Sequence, residues 1–412
     1  MRKLLILAAV LLIAPAVARA KSLEDLLVEK GVITKAEARG ATSSSASKVY
    51  WNNGTRFEFP DSGFTASFAT FLQERYTFTD NDEDAGLKNR SSFDVNTARI
   101  IISGTALNNE FAYYLEPDFS YPGRDPNSTS HGVQLLDAYL TWNACDWAAI
   151  KMGQYKTFIS RQFNTADWKL QFPDRTVVSN YFDLGRQSGL SGQFATEDNM
   201  FVLSAGLWNG ASDGEGMNVS GLDTKHTGGI AVRINPMGKM DAHEEADVNY
   251  TEDFALSLGA AYLFSDGNTG IVGGVEDFNM NTISVDAAMK YQGFSLNGEF
   301  FWAGFETDSM DDSVNPLGFY AQAGYFLMPK KFEVAARYGY LDCDDGQAGS
   351  RNGISCAGLD KQNEVGVALN YYWWKHNLKA SVYYAFINES PEDEDASDIN
   401  TNKWMFQLSS YF

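Results

Sequence analysis

From Gly63 to the last residue the chain alternates apolar and polar side chains one by one, in short runs separated by polar breaks. Phe254, Leu256, Leu258, Ala260, Tyr262 and Phe264 form one such set, interleaved with Ala255, Ser257, Gly259 and Ala261. Ile283, Val285, Ala287, Met289 and Tyr291 alternate with Ser284, Asp286, Ala288 and Lys290, and Phe332, Val334, Ala336, Tyr338 and Tyr340 with Glu333, Ala335, Arg337 and Gly339. A repeat of two is that of a strand, and it puts one face in an apolar medium and the other against water or small side chains.

Alternation alone does not separate a water-soluble sandwich from a sheet closed in lipid. The connections and the chain's end do. Tight breaks at Leu107-Asn108-Asn109, 143–146, Gln292-Gly293, Pro329-Lys330 and Lys375-His376-Asn377 alternate with long polar segments at 79–91, 120–132, 155–184, 209–227, 265–279, 304–317, 342–361 and 388–400. Short turns on one side and long loops on the other are the pattern of an outer-membrane barrel, and the breaks leave about sixteen strands. One connection departs from it, because 236–252 is long where a short turn belongs. The last strand alternates Trp404, Phe406, Leu408, Ser410 and Phe412, and a terminal Phe is what barrel-assembly machinery reads. Trp142, Trp147, Trp302, Tyr371 and Trp373 fall near strand ends, where amphipathic rings settle at a headgroup boundary. The predicted fold is all-β: a transmembrane antiparallel up-and-down barrel occupying 49–412, behind a short helical leader.

The N-terminus reads as an export signal. Arg2 and Lys3 precede an apolar run from Leu4 to Val17, and Ala18-Arg19-Ala20 offers the small residues a signal peptidase needs, so 1–20 is the expected signal peptide and the remaining chain starts near Lys21. That run is shorter than the ~20 residues of a spanning helix. Within 21–48, Leu23, Leu26, Leu27 and Val28 have helical spacing broken at Gly31, followed by a small-residue linker at 41–47. This leader reads as a periplasmic helix or short coiled coil. The formal net charge of −21 argues against nucleic-acid partners. Of three cysteines, Cys343 and Cys356 share one polar stretch and either bridge, as an oxidising compartment permits, or remain two thiols. Cys145 stands alone in a tight turn.

Two stretches resemble a known family. Phe93-Asp94-Val95-Asn96-Thr97-Ala98-Arg99-Ile100-Ile101-Ile102-Ser103-Gly104-Thr105 with Tyr113-Tyr114-Leu115-Glu116-Pro117-Asp118-Phe119 is similar to the second and third strands of the phosphate-selective porin O and P family. Leu136-Asp137-Ala138-Tyr139-Leu140 and Met152-Gly153-Gln154-Tyr155-Lys156-Thr157-Phe158 resemble its fourth and fifth. The resemblance implies an outer-membrane porin, a homotrimer of sixteen-stranded barrels, whose third outer loop folds inward to narrow the pore; by position that loop is 155–184.

A pore selects by width and by the charges at its narrowest ring. Lys156, Arg161, Lys169 and Arg175 outnumber Asp167, Asp174 and Asp183 in that loop, which makes it slightly basic within an acidic chain. Strand parity adds Arg99 and Lys151 from the wall and Arg186 just past the loop, and the same parity puts Glu116, Asp118 and Asp137 in the lumen. Two readings stay open for these cations: contact with solute, or pairing with Glu116 and Asp137 across neighbouring strands. The Arg ladder of the phosphate-selective members is not evident, and the outer loops are acidic at 80–84, 308–312 and 392–395, suited to solvation or to bridging lipopolysaccharide through divalent ions. Their spacing does not fit a calcium loop. The expected partners are outer-membrane lipid, lipopolysaccharide and small hydrophilic solutes or anions, with no cofactor and no metal. His131, His226, His243 and His376 fall in loops or turns without the carboxylate or nucleophile spacing of a triad or zinc site. Gly189-Leu190-Ser191-Gly192 resembles part of a nucleophile elbow but lies on a strand. The expected function is passive diffusion of small hydrophilic solutes, with a weak preference for anions or phosphate, rather than enzymatic turnover; the alternative is a barrel-type surface adhesin or structural anchor.

Overall fold

The computed structural model describes residues 27–32, 34, 47–82, 86–120, 133–210, 226–266, 278–307, 313–344, 350–351, 354–393 and 395–412. The signal peptide, most of the leader, His131 and most of the acidic loop tips lie outside them. Residues 27–29 form a helical turn that ends at Gly31.

The strands are β1 (Lys48–Trp51), β2 (Thr55–Phe59), β3 (Phe64–Asp80), β4 (Arg90–Ala106), β5 (Phe111–Asp118), β6 (Gln134–Cys145), β7 (Ala148–Lys156), β8 (Arg186–Ala195), β9 (Phe201–Trp208) and β10 (Thr227–Met237). They continue as β11 (Ala255–Asp266), β12 (Phe278–Tyr291), β13 (Phe294–Thr307), β14 (Leu317–Met328), β15 (Phe332–Asp342), β16 (Ser350–Arg351), β17 (Ile354–Ser355), β18 (Leu359–Trp374), β19 (Leu378–Pro391) and β20 (Ile399–Tyr411). Among the described residues, sixteen of them, β3 to β15 and β18 to β20, pair antiparallel with their sequence neighbours and close on themselves where β20 meets β3. In that closing ladder Asn402 faces Asp80 and Tyr411 faces Phe71. Phe412 then exchanges both backbone bonds with Thr70, at 2.6 and 3.0 Å. Closure matters because an unpaired backbone edge in hydrocarbon costs several kcal/mol per group.

The wall begins at Phe64, where the alternation does, while the expected range of 49–412 also takes in the segment before it. Residues 48–59 are not barrel wall but a β1–β2 hairpin, which pairs with β3 from Phe64 to Phe68, just below the point where β20 ends. The first part of β3 projects past the last strand, and β2 covers the edge that would otherwise be bare. Trp51 of the hairpin packs on Trp374, ring centroids 4.4 Å apart.

The two faces sort as the alternation requires. Leu258, Tyr262, Phe264, Ile283, Val285, Val334 and Tyr338 point outward and are exposed, while Ser257, Ala261, Leu263, Ser284, Glu333 and Arg337 point inward and are buried. An empty wide barrel would leave its inner face wet. Burial of that face means the lumen holds protein. On the short-turn side, Gln292 (φ 46°) and Gly293 (φ 84°) both adopt left-handed conformations, the requirement of a two-residue hairpin turn that matches strand twist. On the opposite side Cys343 and Cys356 are joined by a disulfide within the loop that carries the β16–β17 ribbon. Cys145 is a free thiol.

Candidate functional site

Two segments fill the lumen. The first, 157–185, leaves β7 and returns to β8; Tyr155 and Lys156 belong to β7 itself. It carries two short helices, α1 (Arg161–Asn164) and α2 (Val177–Phe182). Each starts on a hydroxyl cap: Ser160 Oγ accepts from Phe163 N and Thr176 Oγ1 from Ser179 N, both at 3.0 Å. Apolar side chains hold the loop's flanks. Phe182 stacks on Phe301 of β13, Phe172 meets Tyr383 of β19 edge-on, and Trp168 stacks on Tyr411 at 4.4 Å. The Cys343–Cys356 bridge is buried in the same apolar cluster as Val178, Tyr181 and Phe182, so the disulfide-closed outer loop rests on α2.

The second segment is the long turn 238–254 between β10 and β11. It does not hang in the periplasm but folds up into the barrel, with Glu245, Ala246, Asp247 and Val248 all buried. Ala246 and Val248 pack with Phe326 and Tyr372. Glu244 pairs with Lys290 at 2.9 Å, and Asp247 accepts from Gly293 N at 2.8 Å. The turn meets the loop directly: Glu245 accepts from Gln171 N at 2.6 Å and from Gln162 Nε2 at 2.9 Å, Lys169 pairs with Asp241 at 2.5 Å, and Arg161 donates to Ala242 O at 2.9 Å.

Three buried carboxylates from different parts of the chain thus grip the loop's backbone. Glu299 takes the amides of Arg161 and Gln162, Glu364 takes that of Val177, and Glu245 takes that of Gln171. An unpaired carboxylate in such a place would be costly, and an unpaired amide only somewhat less so. Each therefore fixes the other, and the loop is held from β13, from β18 and from below.

The cations expected from sequence are divided by this geometry. Arg99 donates to Glu116 at 3.0 Å and Asp118 at 2.9 Å and also pairs with Asp167 of the loop at 2.6 Å. Arg175 shares Asp167 at 2.5 Å, Arg186 takes Asp137 at 2.9 Å, and Arg161 pairs with Asp286 of β12. Burial pushes Asp167 toward its neutral form, but the guanidinium groups of Arg175 and Arg99 outweigh it and hold the carboxyl well below the usual range. Asp174 is treated alike, with Arg75 and Lys403 as its partners. Among the described residues Lys156 donates to carbonyl oxygens, those of Phe163 at 2.7 Å and Thr165 at 3.4 Å, and lies over the Phe163 ring. Lys151 has no carboxylate partner among the described residues. Its ammonium lies over the rings of Tyr139 and Tyr155, 4.5 and 5.1 Å from their centroids.

Sequence reasoning passed over Arg233, the counterpart of Lys151. Its Nη1 is 2.9 Å from His243 Nε2, and its Nε has no partner among the described residues. Burial first, then Arg233 and Arg161, push His243 down to about 3, so the ring is neutral and adds no charge. The exposed Ile230 and Ile234 on β10 gave the parity that places Arg233 inside. Arg75 and Lys379 were missed too; like Lys290 and Arg337, which the alternation set on the polar face, each is held by protein acceptors.

The loop separates two cavities. One, of about 320 Å³, opens on the long-loop side between Arg175, Arg337, Lys403 and Asp174. The other, of about 200 Å³, lies on the short-turn side between the β6–β10 wall and the loop, with Lys151, Lys156 and Arg233 on its surface. Trp208 packs edge-on against Phe158, which lines the second, and needs glycine behind it: a Cβ on Gly206 would stand 2.6 Å from the indole and one on Gly189 2.4 Å.

A closed sixteen-strand wall with an inward loop after its fifth strand matches the family model for phosphate-selective porin O and P over residues 68–412. The chain belongs to that family. It is an outer-membrane channel. No curated protein sequence matches it. Among solved structures, the anion-selective porin from Comamonas acidovorans shares the fold at TM-score 0.60 and 13% identity, covering 85% of this chain and 100% of the other. The outer membrane channel DcaP of Acinetobacter baumannii gives 0.60 at 12%, covering 85% and 98%. OmpF of Salmonella typhi gives 0.57 at 13%, covering 89% and 100%. At these identities the likeness is one of fold.

Proposed function

We propose that this porin passes small hydrophilic solutes by diffusion with a weak preference for anions. The observation that carries the reading is the presence of lumen cations with no carboxylate in direct contact among the described residues: Lys151 and Arg233 both face the inner cavity, where Lys156 and Arg161 join them against Asp286, although the chain is acidic throughout. A desolvated wall amplifies such charges, whereas Arg99, Arg161, Arg175 and Arg186 spend theirs on protein carboxylates and set width. The Comamonas acidovorans porin of the same fold, described as anion-selective, supports the reading. A preference for phosphate itself has weaker support, because these two cations stand on strands β7 and β10 and do not converge. The working unit would be a homotrimer, with residues 1–20 removed on export and Phe412 read by the assembly machinery.

Zero-current potentials in a potassium chloride gradient test this. The wild-type trimer, seen as a three-chain mass in detergent, should give the anion sign. A Lys151→Met, Arg233→Gln double variant should move the potential toward zero or past it. A cation sign in the wild type, or no shift in the variant, would end the anion reading.

A further inference from the structure

The inner cavity has a composition that a bare electrostatic filter does not need. Lys151 is flanked in register by Thr141 on β6 and Ser191 on β8. Two residues nearer the periplasm, Gln193 of β8 faces Ser204 of β9, and Arg233 of β10 lies beyond them opposite Val202. Thr141, Gln193 and Ser204 make no side-chain hydrogen bond among the described residues, while Ser191 accepts only from the Tyr155 hydroxyl at 2.9 Å. Along the β7–β10 wall the surface is therefore one cation, a row of unused hydroxyl and amide groups, then a second cation, while Lys156 and Arg161 with Asp286 line the cavity beside that row.

From β7 to β10 is three strand spacings, about 14 Å of wall at ~4.8 Å each, and Arg233 is a further ~13 Å along its strand, at ~3.3 Å per residue, from Gly229, the β10 residue level with Lys151. A compact tetrahedral oxyanion on Lys151 does not also reach Arg233, and it leaves the neutral row unused. A carboxylate at one end of a hydroxylated chain uses both. The cavity of about 200 Å³ has room for it; at ~30 Å³ per water it equals six or seven waters, roughly the bulk of a six-carbon acid.

Resting on the anion reading above, the geometry points to a subsite for a hydroxylated organic carboxylate, a sugar acid, in the periplasmic vestibule. Lys151 takes the carboxylate, with the Ser191 and Thr141 hydroxyls beside it. Gln193 and Ser204 bond the hydroxyls of the body, which extends toward Arg233. The paired rings of Tyr139 and Tyr155 hold the ammonium in place without cancelling its charge, which a carboxylate partner would do.

Current block in single channels of the purified full-length protein tests this, with D-gluconate, acetate, inorganic phosphate and D-glucose added to both sides in turn. Gluconate should half-block the chloride current at a concentration at least about tenfold below that of acetate or phosphate, tenfold being 1.4 kcal/mol of binding, and glucose should not block measurably. Lys151→Met should raise the gluconate value about tenfold. If that variant does not assemble, a Ser191→Ala, Ser204→Ala double variant should raise gluconate toward acetate. Phosphate blocking as tightly as gluconate, gluconate blocking no better than acetate, or a block indifferent to these substitutions would overturn the proposal. Any of those results alongside an anion-signed zero-current potential removes the subsite alone; a cation sign removes the reading beneath it.

Discussion

Arg99 shows how a side chain can be legible in place and not in role. Parity puts it in the lumen with Glu116, and both facts follow from a repeat of two. Its third partner, Asp167, comes from a loop whose path the repeat does not describe. Parity likewise set Lys151 near Asp137, yet Arg186 takes that carboxylate and leaves the lysine to two tyrosine rings. Local spacing finds which residues share a face, and competition among them is decided by geometry across strands. Because Arg99 is buried against three carboxylates, Arg99→Met should leave Glu116 and Asp118 without their ion-pair partner and Asp167 with Arg175 alone. The expected cost is about 3–5 kcal/mol, as for breaking a buried pair. The mutant barrel should shift from folded to unfolded mobility on gels at a clearly lower temperature, and an unchanged midpoint would contradict this role.

At the scale of elements, the strands and the tight turns were readable because each is determined by its own residues. Gln292-Gly293 and Phe332 to Tyr340 needed no partner to be recognised. The turn 238–254 was visible as an anomaly of length, and nothing local says that it enters the barrel. Its destination depends on Glu244 finding Lys290, Glu245 finding Gln171 and Ala246 and Val248 finding Phe326 and Tyr372, contacts that join distant stretches. The hairpin 48–59 fell inside the expected barrel range, and its place beside a strand end below the cylinder likewise depends on a partner strand rather than on its own residues. Turn and loop brace each other through Glu245, so replacing 240–248 by a two-residue turn should widen the channel twice over, by removing its own bulk and by loosening 157–185. Single-channel conductance should rise at least about twofold, pore conductance scaling with the open cross-section that sets selectivity. An unchanged value would show that the turn lies outside the conducting path.

For the whole molecule, fold followed from rhythm and loop asymmetry, and the site followed only in part. A barrel of sixteen strands must satisfy its backbone without an edge, and β20 closing on β3 with Phe412 bonded to Thr70 does so. Inside that wall the loop, the periplasmic turn and the disulfide-tied outer loop convert a wide cylinder into two small chambers. In a working channel water and ions still connect them. Planar-bilayer recording of the purified protein in potassium chloride asks this directly: discrete, repeatable conductance steps, smaller than those of an unobstructed sixteen-strand barrel, are the expected result. A protein that inserts stably and never conducts would contradict the account and leave a plugged membrane anchor in its place.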